Sequence, residues 1–335
     1  MRGIALQWFK SYLGSRKQCT VVNNSVSSFS SLTHGVPQGS ILGPILFLLY
    51  INDIARTSNK LNFLLFADDT TIYIQGNNLH EIQNTLNSEM LKVLNWIKSN
   101  KLTINVSKTQ YMISSSLLHQ SPPIEIYLDN ILLKQVEQCK FLGVTIDSKL
   151  RWSGHVNETC TRLSKIIGIL YKIRRSLTVD CIRQIYLALA YPHLTYCCAI
   201  WGGTVNTNLQ ALFIIKKKLL RVMSSSGRYA HTQPLFENFK LLKLYDIITL
   251  QTCNFIYKSI HNFQVDCGFQ LMPNTYNSRR TSNFILPLYR TSHAQRYVTY
   301  RGVKQWNQLP EEVKDSPSYN EFKNKLKKIY LEITL

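Results

Sequence analysis

Acidic side chains are scarce in this chain: 19 Asp and Glu stand against 39 Lys and Arg in 335 residues, a formal net charge of +20. A surplus of that size suits a polyanionic partner, nucleic acid first and an anionic membrane surface second. Long apolar runs are also lacking. The most apolar stretch, residues 41–51, is too short to span a bilayer and is interrupted by Gly43 and Pro44. Residues 1–10 lack the apolar core of a signal peptide. None of the 8 cysteines falls in a paired CxxC spacing, and Cys253, His261 and Cys267 lie too far apart for a zinc knuckle. That argues against a zinc ribbon or a disulfide framework and for free thiols in a reducing compartment. The expectation is a soluble intracellular protein, in the nucleus or the cytoplasm, without membrane attachment. With 45% hydrophobic residues, a chain of this length has room for two or three folded domains.

The positive charge is unevenly placed. Residues 1–150 hold 13 basic and 9 acidic side chains, whereas residues 151–335 hold 26 and 10, a net +16. Between Thr159 and Phe236 the only acid is Asp180, against eleven Lys and Arg that include Lys165, Lys172, Arg174, Arg175 and Lys216. A surface for phosphate backbones is therefore expected in the second half.

The pattern of apolar positions predicts an α+β fold. A short helix over Ile4–Leu13 ends at Gly14, and strands over Lys17–Val22 and Val26–Leu32 flank an Asn23–Asn24 turn. Pro44 suits the first turn of a helix reaching about Ile54. Leu61–Phe66 and Thr70–Ile74 read as a hairpin interrupted only by Ala67-Asp68-Asp69. Leu79, Ile82, Leu86, Met90, Leu94 and Ile97 recur at helical spacing. Strands follow at Thr109–Ser114, Ile124–Leu128, Ile131–Leu133 and Lys140–Ile146, giving a sheet layer with packed helices. Beyond Trp152 the pattern turns helical, over His155–Arg175, Val179–Tyr191, Leu209–Met223 and Lys243–His261. A looser segment at Asp266–Arg296 precedes short helices at Val303–Leu309 and Tyr319–Tyr330. Domain boundaries are expected near residue 150 and, more weakly, near 228.

Two segments carry candidate chemistry. In Phe66-Ala67-Asp68-Asp69, adjacent carboxylates repel unless they are solvated or share a cation, and Mg²⁺ accepts a few carboxylates alongside phosphate oxygens. Taken alone, such a pair reads more often as ordinary exposed turn residues. In Gly35-Val36-Pro37-Gln38-Gly39-Ser40 the glycines allow close backbone approach to a flat ligand, and the Gln38 amide offers hydrogen bonds to a base or sugar. A simple helix-entry turn explains that loop equally well.

Four segments in order change the balance: GVPQGSILGPILFLLYINDI, LLFADDTTIY, WIKSNKLTINVSKTQYM and FLGVTIDSKLRWSGHV. Together they resemble successive blocks of the reverse transcriptases of non-LTR, LINE-type retrotransposons, of the Jockey/CR1-like kind. The likeness extends to the RGVKQWNQLPEEVK segment near the end. The resemblance implies an incomplete polymerase palm (antiparallel sheet with packed helices, 1–150), a basic helical thumb (151–228) and a C-terminal helical region (229–335). It implies Asp68 as a ligand of catalytic Mg²⁺ (or Mn²⁺) and Asp69 as its acidic neighbour, with Phe66 in the variant of the Tyr-x-Asp-Asp box usual in LINE-type enzymes. Gln38, Gly35 and Gly39 match the loop near the templating base and incoming nucleotide. Lys108 matches a palm lysine near the triphosphate, although a solvated strand-edge lysine reads as well there. Phe141, Leu142 and Gly143 match the hairpin that grips the primer end, the primer grip, and in isolation read as a buried strand with a glycine bend. Lys165, Lys172, Arg174 and Arg175 are the expected backbone contacts.

The implied partners are an RNA template, a DNA primer and deoxynucleoside triphosphates. The family's first catalytic aspartate, its fingers and its endonuclease would precede Met1. The chain is therefore expected to be a C-terminal fragment, inactive alone, with a non-catalytic nucleic-acid-binding remnant as the alternative. A palm sheet short of a strand exposes edges that aggregate. Marginal solubility is expected on expression, and a monomer melting cooperatively would contradict it.

Overall fold

A computed structural model describes residues 2–115, 124–261, 268–272 and 283–334. The chain divides into two compact units, Met1–Tyr111 with Leu117–Val136, and Met112–Ser116 with Glu137–Leu335.

The first unit opens with α1 (Gly3–Leu13), after which come β1 (Arg16–Gln18), β2 (Val21–Val22), β3 (Ser25–Val26) and β4 (Ser30–Leu32). Gly14 ends α1 as expected, but Ser15, not the glycine, takes the left-handed conformation. Asn23 and Asn24 both have positive φ, the combination a two-residue hairpin turn demands. Helix α2 (Leu42–Ile51) runs into a 3-10 turn, Asn52–Thr57. The hairpin of β5 (Asn62–Phe66) and β6 (Asp69–Tyr73) follows, then α3 (Leu79–Ser99), capped by the Asn78 side chain. Short strands β7 (Gln110–Tyr111), β8 (Tyr127–Leu128), β9 (Ile131–Leu132) and β10 (Lys134–Gln135) complete the unit, with β10 parallel to β7. Its core gathers Ile51, Ile54, Leu61, Val93 and Ile97, with Phe63, Leu65, Ile72, Ile74, Leu86 and Met90 packed against them.

The second unit begins with a hairpin of β11 (Gln138–Phe141) and β12 (Val144–Asp147). Helices α4 (Ser153–Ile173), α5 (Val179–Ile185), α6 (Tyr191–Thr195), α7 (Cys198–Trp201), α8 (Asn206–Met223), α9 (Gln233–Asn238) and α10 (Leu244–Ile260) follow. Last come α11 (Val298–Asn307), α12 (Glu311–Lys314) and α13 (Tyr319–Thr334). Leu163 and Leu170 on α4 meet Leu212, Leu219 and Leu220 on α8, and an aromatic group of Tyr257, Trp306 and Phe322 joins the terminal helices to α10. This core runs without interruption past residue 228.

The fold is mixed α+β, and several expectations change in detail. The strands form six two-stranded ladders among the described residues, where a single sheet layer was expected. Four of the six close across two-residue turns, which costs little loop-closure entropy, whereas β1–β4 and β7–β10 pair over longer separations. The expected strand at Lys140–Ile146 is two strands, because Leu142 and Gly143 both adopt positive φ and turn the chain back. The helix expected over Val179–Tyr191 widens into a π turn at Tyr186–Ala190. Pro192, with no N–H to give, sits in the next turn, and Tyr191 N–H instead reaches back five residues to the Tyr186 carbonyl. Of the looser segment at Asp266–Arg296, residues 266–267 and 273–282 lie outside the described residues.

Lys216 departs most from the sequence reading, which counted it with the surface cations. It is fully buried on α8, its ammonium donating to the Leu242 carbonyl and lying 5.5 Å from the centre of the Phe236 ring. Burial lowers its pKa from 10.5 to about 7, partly offset by Asp246, whose own carboxyl burial pushes up. Between pH 7 and 10.5 the unfolded chain holds this proton and the folded chain does not, so stability rises with pH in that window. The slope approaches about 1.4 kcal/mol per pH unit for one proton. Thermal melts of Lys216→Met across that window should lose the slope; an unchanged slope would refute the assignment.

Candidate active site and nucleic-acid interface

The acidic hairpin rests on alternation. Phe63, Leu65 and Ile72 face the core of the first unit, while Leu64, Phe66 and Tyr73 stay exposed on the other side. Phe66 pairs with Asp69, which leaves Ala67 and Asp68 as a two-residue turn. Ala67 holds φ +51°, a left-handed conformation that costs an L-residue about 1–2 kcal/mol and tightens the reversal. Both carboxylates face solvent, and among the described residues neither has an ion-pair or side-chain hydrogen-bond partner. Two adjacent, unneutralised oxygen donors fit a hard divalent cation whose remaining positions are filled by water or phosphate. Among the described residues no group of three or more His, Cys, Asp or Glu side chains is placed to hold a metal ion.

The glycine–glutamine loop leads into α2. Gly35 and Gly39 have φ of +76° and +79°, conformations that favour glycine, and Gln38 is exposed between them. The Ser40 hydroxyl donates to the Pro37 carbonyl (2.7 Å) and accepts from the Gly43 N–H (3.1 Å), which sets the loop against the helix start. Arg16 on β1 donates to the Gly35 carbonyl and to that of His34. Arg16 and Ser40 were not singled out in the sequence. The Ser40–Gly43 spacing was a readable capping signal, whereas the long-range Arg16 contact left none.

Lys108 closes a 3-10 turn, Val106–Lys108, that the Asn105 side chain caps, and its own side chain is exposed. Leu102 and Ile104, just before it, pack on the same core as α2, β5, β6 and α3. One apolar cluster thus holds the segments that bear Gln38, the two aspartates and Lys108.

The Phe141–Gly143 turn belongs to the second unit, although the sequence grouped it with residues 1–150. The Tyr196 hydroxyl donates to the Leu142 carbonyl at 2.6 Å, and a Cβ at Gly143 would lie 3.6 Å from the Tyr196 ring. Lys165 and Lys172 sit two turns apart on the exposed face of α4, and Arg175 is exposed just past its end. Arg174 is different. Its guanidinium lies 4.3 Å from the Tyr171 ring centre and donates to the Val222 carbonyl at 3.5 Å, so much of it is committed to the fold. No helix of the described residues is long and apolar enough to cross a membrane.

Residues 2–146 match the profile of the family described as reverse transcriptase (RNA-dependent DNA polymerase). Relatives extend the likeness beyond this segment. The probable RNA-directed DNA polymerase from transposon X-element of Drosophila melanogaster is 27% identical over 71% of this chain and 27% of its own length. The RNA-directed DNA polymerase from mobile element jockey of Drosophila funebris is 25% identical over 72% of this chain and 27% of its own. A Pol polyprotein from the type-1 retrotransposable element R1 2 of Nasonia vitripennis is 27% identical over 50% of this chain and 43% of its own. The chain spans about a quarter of the length of the first two relatives. No solved structure matches. These likenesses support a LINE-type reverse transcriptase, a family that generally uses divalent metals.

The Tyr196 contact is open to test. Tyr196→Phe should cost about 0.5–1.5 kcal/mol locally and speed amide exchange across β11 and β12. Exchange as slow as in the parent would show that the hydroxyl does not hold the turn.

Proposed function

We propose that this chain takes part in RNA-templated DNA synthesis by two-metal nucleotidyl transfer, acting in the nucleus or cytoplasm. Residues 1–150 serve as part of the polymerase palm, 151–228 as a basic thumb and 229–335 as a C-terminal helical region. What carries the reading is the unpaired, solvent-facing carboxylate pair at the tip of the β5–β6 hairpin, inside the segment that matches the reverse transcriptases. Asp68 and Asp69 would hold Mg²⁺ (or Mn²⁺), which when bound would supply Lewis-acid activation of a 3′-hydroxyl and charge stabilisation for a leaving pyrophosphate.

The remaining residues position substrate. The Gln38 amide, presented between two left-handed glycines, reaches the templating base or the incoming nucleotide. Lys108 supplies positive charge to the triphosphate. The Phe141-Leu142-Gly143 turn, tied down by Tyr196, steadies the primer end. Lys165, Lys172 and Arg175 take template–primer phosphates, with Arg174 contributing the part of its guanidinium left over from Val222.

Two carboxylates are fewer than the three that normally hold such a metal pair. The chain alone is proposed to bind template–primer without extending it. The second reading, a non-catalytic nucleic-acid-binding remnant, draws on the net +16 of residues 151–335. Three measurements separate these readings. Mn²⁺ binding followed by electron paramagnetic resonance should be present in the parent chain and lost in Asp68→Asn/Asp69→Asn; no binding in the parent would leave only the remnant reading. Primer extension with Mg²⁺ or Mn²⁺ should give no incorporation, and incorporation abolished by Asp68→Ala would overturn the inert reading while keeping Asp68 catalytic. Template–primer affinity should fall steeply with salt, and a flat response would count against both readings.

A further inference from the structure

An arginine-walled groove lies within the second unit, away from the basic face of α4 that carries Lys165 and Lys172. It consists of two adjoining cavities of about 330 and 460 Å³ that share Val205 and Arg296 in their walls. Arg301 lines the 330 Å³ cavity and Arg151 the 460 Å³ one, and no Asp or Glu lines either. Among the described residues Arg151, Arg296 and Arg301 form no ion pair. Asp147, the acid in the loop beside Arg151, is occupied as a turn cap: its oxygens accept from the backbone N–H groups of Lys149, Arg151 and Trp152.

Backbone geometry adds to the positive field. Ser153 and Asn206, the first residues of α4 and α8, line the groove. Helix α8 starts without a side-chain cap and without an acid in its first turn, so its dipole adds to the field, whereas Asp147 sits at the entry to α4 and offsets the dipole there. The walls are held together by contacts that leave the Arg151 and Arg296 side chains free. The Arg151 carbonyl accepts from the Thr204 hydroxyl (2.6 Å) and the Asn208 amide (3.4 Å). Gly203 lies so close to the Arg296 carbonyl that a Cβ there would sit 2.1 Å from its oxygen, so only glycine brings the two walls together.

We propose that this groove binds the phosphodiester backbone of a nucleic-acid strand, as a second phosphate-contacting surface separate from the α4 face. Two adjoining cavities that share Arg296 suit consecutive phosphates better than a single phosphate ion. Arg151 and Arg296 contact the strand, and Arg301, held to the Ala199 carbonyl at 2.7 Å, adds positive potential from within. The inference rests on the reading that the helical unit holds nucleic acid; it does not require catalysis.

The test is fluorescence anisotropy of a labelled single-stranded oligonucleotide with the full chain, titrated at several salt concentrations. Arg151→Gln/Arg296→Gln should weaken binding by roughly tenfold and lower the salt slope by about 1.4, the share of two phosphates on a single strand. Lys165→Gln/Lys172→Gln serves as the comparison. If that pair weakens binding and the groove pair does not, the groove proposal fails and the nucleic-acid reading stands; if the parent chain binds no strand, both fail. A second measurement needs no variant: phenylglyoxal modification of the parent chain, read by mass spectrometry. The strand should protect Arg151 and Arg296 where equimolar tripolyphosphate does not. Equal protection by tripolyphosphate would make the groove a small-polyphosphate site and overturn the proposal.

Discussion

Burial of one face of a hairpin decides where the two acidic groups stand. Phe63, Leu65, Ile72 and Ile74 point into a core shared with α2 and α3, so the opposite face and the tip are left to solvent. Two carboxylates on neighbouring residues could not be kept charged inside that core without costing several kcal/mol each. At the tip they remain hydrated and free to take a cation. The same cluster anchors the residues that lead into Lys108 and the helix that follows the Gln38 loop. Rigid elements therefore carry groups that are themselves unconstrained, which suits a site completed by metal, nucleotide and nucleic acid.

The cations divide by a similar logic. Lys165, Lys172 and Arg175 lie exposed on or beside α4, where phosphates can replace water at little cost. Lys216 fills a gap between α8 and the Leu242 segment, and burial brings its pKa down to about 7. Arg174 spends its guanidinium on a ring and a carbonyl. Arg151 and Arg296 fall between these cases, lining a groove with no carboxylate in its wall. Net charge predicts a polyanionic partner, but only the placement of each side chain says which cations remain to meet it.

The acidic hairpin, the Asn23–Asn24 turn and the stripes of α3, α4, α8 and α10 were legible along the chain. Each depends on interactions within a few residues: alternation, helical spacing, or turn residues that tolerate positive φ. The Leu142–Gly143 reversal was legible as a glycine bend and as the hairpin the resemblance implies, but the apolar pattern ran through it as one strand, because a leucine at positive φ gives no compositional warning. Arg16, Tyr196 and the Gly203–Arg296 approach were missed. Each is a contact between segments 19 or more residues apart, and no local pattern encodes its partner.

Sequence alone carried the reverse-transcriptase likeness of residues 2–146 in its ordered motifs, and it placed the acidic pair and its hairpin, the basic second half and most helices, because these last follow from composition and short-range periodicity. Tertiary structure decided the rest. It assigned the 138–147 hairpin to the helical unit, took Lys216 out of the surface charge and gathered Arg151, Arg296 and Arg301 around one groove. These outcomes turn on which distant segments share a core, and burial against a distant neighbour sets whether a charge is solvated, paired or suppressed.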